Sequence, residues 1–530
     1  MRTPDLALSA ALAAALVSGC RQRDPVWDTS PGVLVAHGLA TGAALVDDPA
    51  HRALLLPVLG DLTLAPVSVP LGHDVAASGA TADGSRLVVL SRGDVPRTRS
   101  TQQAPGLTVI DGSGAGAPPV TYPISDPLSG LALDPASTFA IIYPSAADDA
   151  FVQNPNELSI ADLTQPPAAG NPTPLTLRSF GGRPRSFFFT PTLELPSGSR
   201  RLLAVLTDRD LGIIDLGAPD KGDVTVKLSS SGQVLTPAQV VVTDGVPGDP
   251  TDARLAVRIE GDSGVIVVDL LPVPAGDTTH VHGFVPTPNI VDAGGTPTDL
   301  AFVTTDGGLR LAALVPSQQA LVLIDPATGI TTSVDLGAPL ERLSIVTGVV
   351  GPGTNGADVA LLWSTSSPTI AFVALGSTVG KPYKSVETLS LASPVGDVID
   401  VPRPSDRLKI LASPDRQTFF VLDLVARTAA PLLASSGGAA VTVSPGGQRA
   451  WFLAPFAPDV ASLDLQNLHP QNLLLGQPVA LAFDVARRDG GRALLALHAE
   501  NAVGVTVLDG QNPSLETAVE YSSVLLGELP

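Results

Sequence analysis

The chain has 530 residues, 44% hydrophobic, 15% charged and only 4% aromatic, with 51 Gly, 50 Pro, a single Cys and a formal net charge of −20. A mean hydropathy of +0.29 is too apolar for a disordered chain, and this much Gly and Pro without a collagen period signals many turns joined by short apolar runs. The acidity, with a pI near 4.6, argues against nucleic acid as a partner, because phosphate binding depends on Lys and Arg releasing counterions.

The chain opens with Arg2, an apolar run from Leu6 to Val17, and the small residues Ser18 and Gly19. A helix needs about twenty residues to cross the hydrocarbon core, and this run is about twelve, so residues 1–19 read as an export signal rather than a membrane span. Val17-Ser18-Gly19-Cys20 resembles the bacterial lipobox, and Cys20 is the only cysteine in the sequence. The resemblance implies that Cys20 becomes the mature N-terminus, takes a diacylglyceryl group on its thiol and is acylated on its amine. Two or three acyl chains, at about 0.8 kcal/mol per buried CH₂, hold a protein on membrane lipid. Arg21 stands where an Asp is associated with retention at the inner membrane, so the outer membrane is the expected destination. Residues 20–32, with Pro25 and Pro31, read as a tether. The mature chain keeps 30 basic and 50 acidic side chains and no disulfide, so an exported protein of this kind rests on burial alone.

From residue 33 onward a short apolar strand ending in Asp recurs at Gly106–Gly112, Glu157–Leu163, Asp210–Leu216, Gly264–Leu270, Ala320–Pro326, Thr418–Leu424, Asp459–Leu465 and Gly504–Gly510. Two weaker copies, Asp61–Val67 and Thr369–Gly376, bring the units to ten at an average of about 49 residues. Residues 295–337 give the internal order: Asp299–Val303, a turn at Thr305-Asp306-Gly307-Gly308, Leu309–Val315, Ala320–Pro326, a turn at Ala327-Thr328-Gly329, and Thr331–Gly337. Asp-Gly and Gly-Gly between apolar runs are hairpin signals. Third strands such as Val265–Val268 are apolar without alternation, so both faces are covered. Four strands per unit of 40 to 50 residues is a propeller blade, and residues 33–530 are expected to form an all-β propeller.

The unit at 295–337 resembles the YVTN type of propeller repeat, with a Pro-led first strand, an Asp-Gly turn, a strand ending in Ile-Asp followed by a Thr-Gly turn, and a last strand closing in Gly. That resemblance implies a fold and no activity. The tryptophans, only Trp27, Trp363 and Trp451, leave no room for the WD signature or for the tryptophan docking of quinoprotein propellers. Ten units exceed the usual four to eight blades. One wide ring is favoured over two rings of four to six blades, or over some units serving as loops, because no long linker interrupts the steps.

Chemistry is thinly marked. Asp262-Ser263-Gly264 matches a serine-protease string, but Ser263 only precedes a strand, without a base or an oxyanion hole. Gly351, Gly353 and Gly356 match GxGxxG, yet a phosphate cradle needs a following helix, and the strand Asp358–Trp363 follows instead. His280 and His282 are the best metal candidates, read as two residues on one side of a strand, although zinc takes three or four ligands and His37, His51, His73, His469 and His498 are scattered. Asp244, Asp249 and Asp252 crowd one loop as a possible calcium turn or, more simply, a solvated one. The recurring Asp reads as a strand-ending turn residue. No resident metal or cofactor is expected, since the one Cys is assigned to lipid and the one Met begins the chain. The expected function is a lipid-anchored binding or scaffold propeller with a protein, peptide or glycan ligand. The alternative is an envelope hydrolase or lyase whose site gathers His280, His282 and several Asp or Arg side chains on the axis. A third reading is an acidic surface protein kept soluble and spaced by its charge.

Overall fold

The computed structural model describes residues 33–522 apart from 115, 149–150, 153, 179–182, 229–234, 247, 349, 352–353, 356–357, 379–380, 456 and 499–503. The export signal, Cys20 and the tether lie outside the described residues. Ten four-stranded antiparallel sheets follow one another along the chain, with blades spanning 33–70, 75–123, 130–176, 186–227, 237–292, 299–335, 342–390, 397–433, 440–474 and 479–521. Helix is limited, among the described residues, to single 3₁₀ turns at Ala146–Asp148, Pro219–Lys221 and Pro316–Gln318. A small extra hairpin, Val350–Gly351 with Thr354–Asn355, sits between the first and second strands of blade 7. It carries Gly351 of the GxGxxG match, and the strand Val359–Trp363 follows it. Gly353 and Gly356 fall outside the described residues.

Every blade is built in chain order, from four consecutive strands except in blade 7, where the small hairpin intervenes, because antiparallel neighbours need no crossover. Blade 6 shows the register: Asp299–Thr305 pairs with Gly308–Val315, which pairs with Ala320–Ile324, which pairs with Thr331–Asp335. The unit at 295–337 therefore folds as its pattern predicts. Blade 1 corrects one expectation. Its third strand is Arg52–Pro57, not the weak copy at 61–67, which forms a turn and one bridge, Val58 with Leu64. Pro66 in the Asp position marks a segment that never was a third strand, whereas the other weak copy, at Thr369–Ala374, is one.

The apolar runs pack on both faces because successive side chains on a strand point to opposite sides. In blade 5, Ile266, Val268 and Leu270 pack toward blade 4, while Val265 and Val267 pack toward blade 6. The buried residues form ten cores, each shared by one neighbouring pair of blades. The tenth joins Leu495, Val505 and Val507 of blade 10 to Leu45, Leu54 and Leu56 of blade 1. That core decides between one ring and two: the ten blades close a single ring. Among the described residues no strand is exchanged across the closure. It is held by that core, by the Leu64 N–H donating to the Tyr521 hydroxyl at 2.9 Å, and by the Ala486 N–H to Ala40 O (3.0 Å) and Arg488 N–H to Val58 O (3.1 Å) bonds.

Candidate functional site

The recurring Asp is structural. At Asp111, Asp162, Asp215, Asp325, Asp423, Asp464 and Asp509 the carboxylate accepts the backbone N–H two residues on, at 2.8 to 3.1 Å. The exception, Asp269, lies inside the long strand Gly264–Pro272 and takes Arg254 Nε at 2.5 Å. A second regularity escaped the sequence reading, an Arg near the start of the second strand that reaches this carboxylate. Arg200 meets Asp215 at 2.5 Å and Arg310 meets Asp325 at 3.4 Å, while in blade 10 Arg487, in the turn before the second strand, meets Asp509 at 3.2 Å. The signal in the sequence was an Arg fifteen residues before the recurring Asp, as in Arg200–Asp215, Arg254–Asp269 and Arg310–Asp325.

The first strands of successive blades lie side by side around the axis. His37 of blade 1 bonds Ser78 of blade 2 at 2.9 Å, and Thr442 of blade 9 donates to Ala482 O of blade 10 at 3.2 Å. Burial lowers the His37 pKa. All of Val75–Ala80 is half-buried although it is apolar and innermost, as expected of an edge strand facing an axial channel. More blades mean a wider channel, so ten give more axial space than the usual four to eight.

One polar cluster stands at the mouth where the first strands begin. Asp299 opens the first strand of blade 6; its Oδ1 accepts Gln239 Nε2 of blade 5 at 2.7 Å and its own Leu300 N–H at 2.9 Å. Its Oδ2 accepts the Leu343 N–H of blade 7 at 2.9 Å, so one carboxylate ties three blades. Arg258 Nε reaches Gln239 Oε1 at 3.3 Å, and burial lowers the Arg258 pKa against the pull of Asp299. Arg342, the first residue of blade 7's inner strand, is exposed beside this group. Asp397 repeats the motif at the start of blade 8, accepting its own Val398 N–H at 2.9 Å and Arg416 at 3.0 Å. The sequence signal was an Asp directly after the Pro- or Gly-containing link into a first strand, as in Pro297-Thr298-Asp299 and Gly396-Asp397. The arrangement is a stiff rim carrying a guanidinium, suited to holding a carboxylate or backbone carbonyls of a ligand.

The other candidates lie elsewhere. His280 and His282 are not on a strand; they occupy the loop between Gly264–Pro272 and Phe284–Asp292, the outer hairpin of blade 5. The structure therefore separates them from the axis, and the axial enzyme reading loses its histidines. His280 Nδ1 is 2.6 Å from Asp277, and His282 is buried near Phe284, with burial lowering its pKa. Among the described residues no three His, Cys, Asp or Glu side chains gather as a metal site. Asp244 accepts Glu194 N–H at 2.6 Å, Asp249 accepts Thr251 N–H at 2.9 Å and Asp252 accepts Val246 N–H at 2.7 Å, each closing a turn or joining blades. Asp262 accepts the Gly264 N–H at 2.8 Å, which places Ser263 in a tight turn before its strand. The outer strands of blades 8 and 9 frame a cleft of about 470 Å³ with Leu433, Phe452 and Asp459 on its walls.

No family model matches the chain, and no curated protein matches it. Among solved structures, it is similar to a dihydro-heme d1 dehydrogenase, NirN, in complex with DHE, at 12% identity and a TM-score of 0.41 over 84% of this chain and 76% of that one. A eukaryotic initiation factor aligns at 9% identity and a TM-score of 0.44 over 93% and 97%. Apo AztD from Citrobacter koseri aligns at 12% identity and a TM-score of 0.32 over 70% and 92%.

Proposed function

We propose that the chain is a lipid-anchored cell-envelope β-propeller that acts as a binding or scaffold protein, presenting the channel mouth of blades 5 to 7 to a protein, peptide or glycan. The observation that carries this reading is the Asp299 cluster. Its carboxylate is used up in tying three blades together, so the rim is fixed while Arg342 stays exposed. A rigid rim with a free cation suits recognition, since less ordering is lost on binding. Cys20 would supply the anchor and residues 20–32 the reach. The test is a photo-crosslinking amino acid at position 342, with mass spectrometry of adducts from the envelope of the producing cell. A discrete adduct that disappears when Arg258 and Asp299 are replaced by Ala supports the reading. A spectrum matching a control position on the outer strand Thr331–Asp335 contradicts it.

A further inference from the structure

The seam between blades 9 and 10 differs from the seam between blades 3 and 4. At the seam of blades 3 and 4, Arg201 crosses to Asp134 with Nη2 to Oδ1 at 2.6 Å and Nη1 to Oδ2 at 2.8 Å, which fills the gap between the two turns. Strand pairing makes Arg492 the counterpart of Arg201, since Ala493 faces Asp509 as Leu202 faces Asp215. The counterpart of Asp134 is Ser444: the N–H of each bonds the carbonyl five residues on. With a hydroxyl in place of the carboxylate, Arg492 turns back to its own blade and pairs with Asp484, Nε to Oδ1 at 2.8 Å. Asp484 occupies a position that is Ala80, Leu133, Phe189, Val242, Phe302, Ile345 and Val443 in seven other blades, and in blade 8 an exposed Asp400 paired with Lys409. Its carboxylate is 1% exposed and accepts Trp451 Nε1 at 2.8 Å. The two substitutions leave a pocket of about 260 Å³ where the other seam is bridged, walled by Gln448, Arg449, Asp464, Gln466, Asp484, Arg492 and Gln511.

We propose that this pocket binds a small neutral polyhydroxylated ligand, a single pyranose or the end of a glycan. Its size is just under the roughly 300–1,000 Å³ of drug-sized sites, so one small molecule fills it. Two guanidinium and two carboxyl groups line it, so it carries no net charge to select an anion or a cation. Amides, guanidinium and carboxylate are planar groups with paired donors or acceptors, and such groups bond two adjacent hydroxyls at once. Arg449 lies over the Trp451 ring at 5.6 Å, so an occupant touching Arg449 is sensed by the indole. The inference is independent of the membrane anchor and of the channel mouth.

The test titrates the intact purified protein with glucose, galactose, mannose and N-acetylglucosamine, and with acetate and sulfate, followed by saturation-transfer NMR and tryptophan emission. At least one neutral sugar is expected to saturate with a Kd at or below about 1 mM. Gln511→Ala and Gln466→Ala, both at exposed positions, are expected to weaken it about tenfold. Ser444→Asp, which offers Arg492 the partner that Arg201 has, is expected to abolish it. Absence of saturable binding by any of the four sugars, preference for acetate or sulfate, or binding unchanged in the two glutamine variants would each overturn the proposal. The glutamine variants decide the matter even if Ser444→Asp folds poorly.

Discussion

Arg201 and Asp134 form a two-pronged bridge between blades 3 and 4, at 2.6 and 2.8 Å, with the carboxylate fully buried and the guanidinium about one-fifth exposed. Burial alone would raise the Asp134 pKa. Hydrogen bonds from Arg201, from Thr138 and from the Ala136 N–H, with the Arg201 charge, outweigh it and hold the carboxyl at about 2. The folded state therefore binds this proton less readily than the unfolded chain does. The bridge stabilises fully above the ordinary carboxylate pKa of about 3.9 and is lost as pH falls from there toward about 2.

Arg201→Met is expected to cost about 3 kcal/mol, because it leaves a buried carboxylate without its cation. Arg201→Lys keeps the charge but not the fork and is expected to cost less. Denaturant unfolding at pH 7 measures both, and the deficit of Arg201→Met should shrink below pH 3.

Closure of the ring depends on Tyr521, whose hydroxyl accepts the buried Leu64 N–H. Tyr521→Phe leaves that N–H unpaired, at a cost of about 1–3 kcal/mol. Faster amide exchange at Leu64 and neighbouring residues of blade 1, with blade 5 unaffected, is the expected result. Uniform loss of protection would contradict a local seam.

The turn glycines separate two effects. Gly84 has φ +66°, and an added Cβ would lie 2.6 Å from Ala40 N of the preceding blade. Gly490 has φ +86° with nothing within 4 Å of such an atom. Gly490→Ala is expected to cost about 1–2 kcal/mol, the strain of a left-handed conformation, and Gly84→Ala distinctly more. Thermal unfolding of the two variants checks the order.

Asp484 behaves oppositely to Asp134. Burial raises its pKa despite the Arg492 charge and the bonds from Trp451 and Arg492. The folded state holds this proton more readily than the unfolded chain, so ionising Asp484 weakens the fold as pH rises through its folded pKa. Trp451 emission is expected to titrate with a midpoint above the usual 3.9, and Asp484→Asn should remove that transition.

Much of the fold was legible because blade strands are short, apolar and spaced by turn residues. Val265–Val268, Asp306-Gly307 and the Asp at 325 each carry their reason locally: two covered faces, a hairpin and an N–H to accept. Blade 1 was misread at 61–67 because Pro66 broke the motif while Arg52–Pro57 lacks the terminal Asp. The mouth cluster was not legible, since Gln239, Arg258, Asp299 and Arg342 are up to about a hundred residues apart and meet only when three blades turn about one axis. His280 and His282 misled for the same reason: alternation was read where the chain makes a loop.

The envelope reading turns on Cys20. Membrane and soluble fractions from cells expressing the native chain and Cys20→Ala, followed by intact-mass analysis, test it most directly. The account predicts a membrane-bound native protein with the mass of residues 20–530 plus acyl chains, and a Cys20→Ala variant that loses both the acyl mass and the membrane. A soluble, unacylated native protein would contradict it.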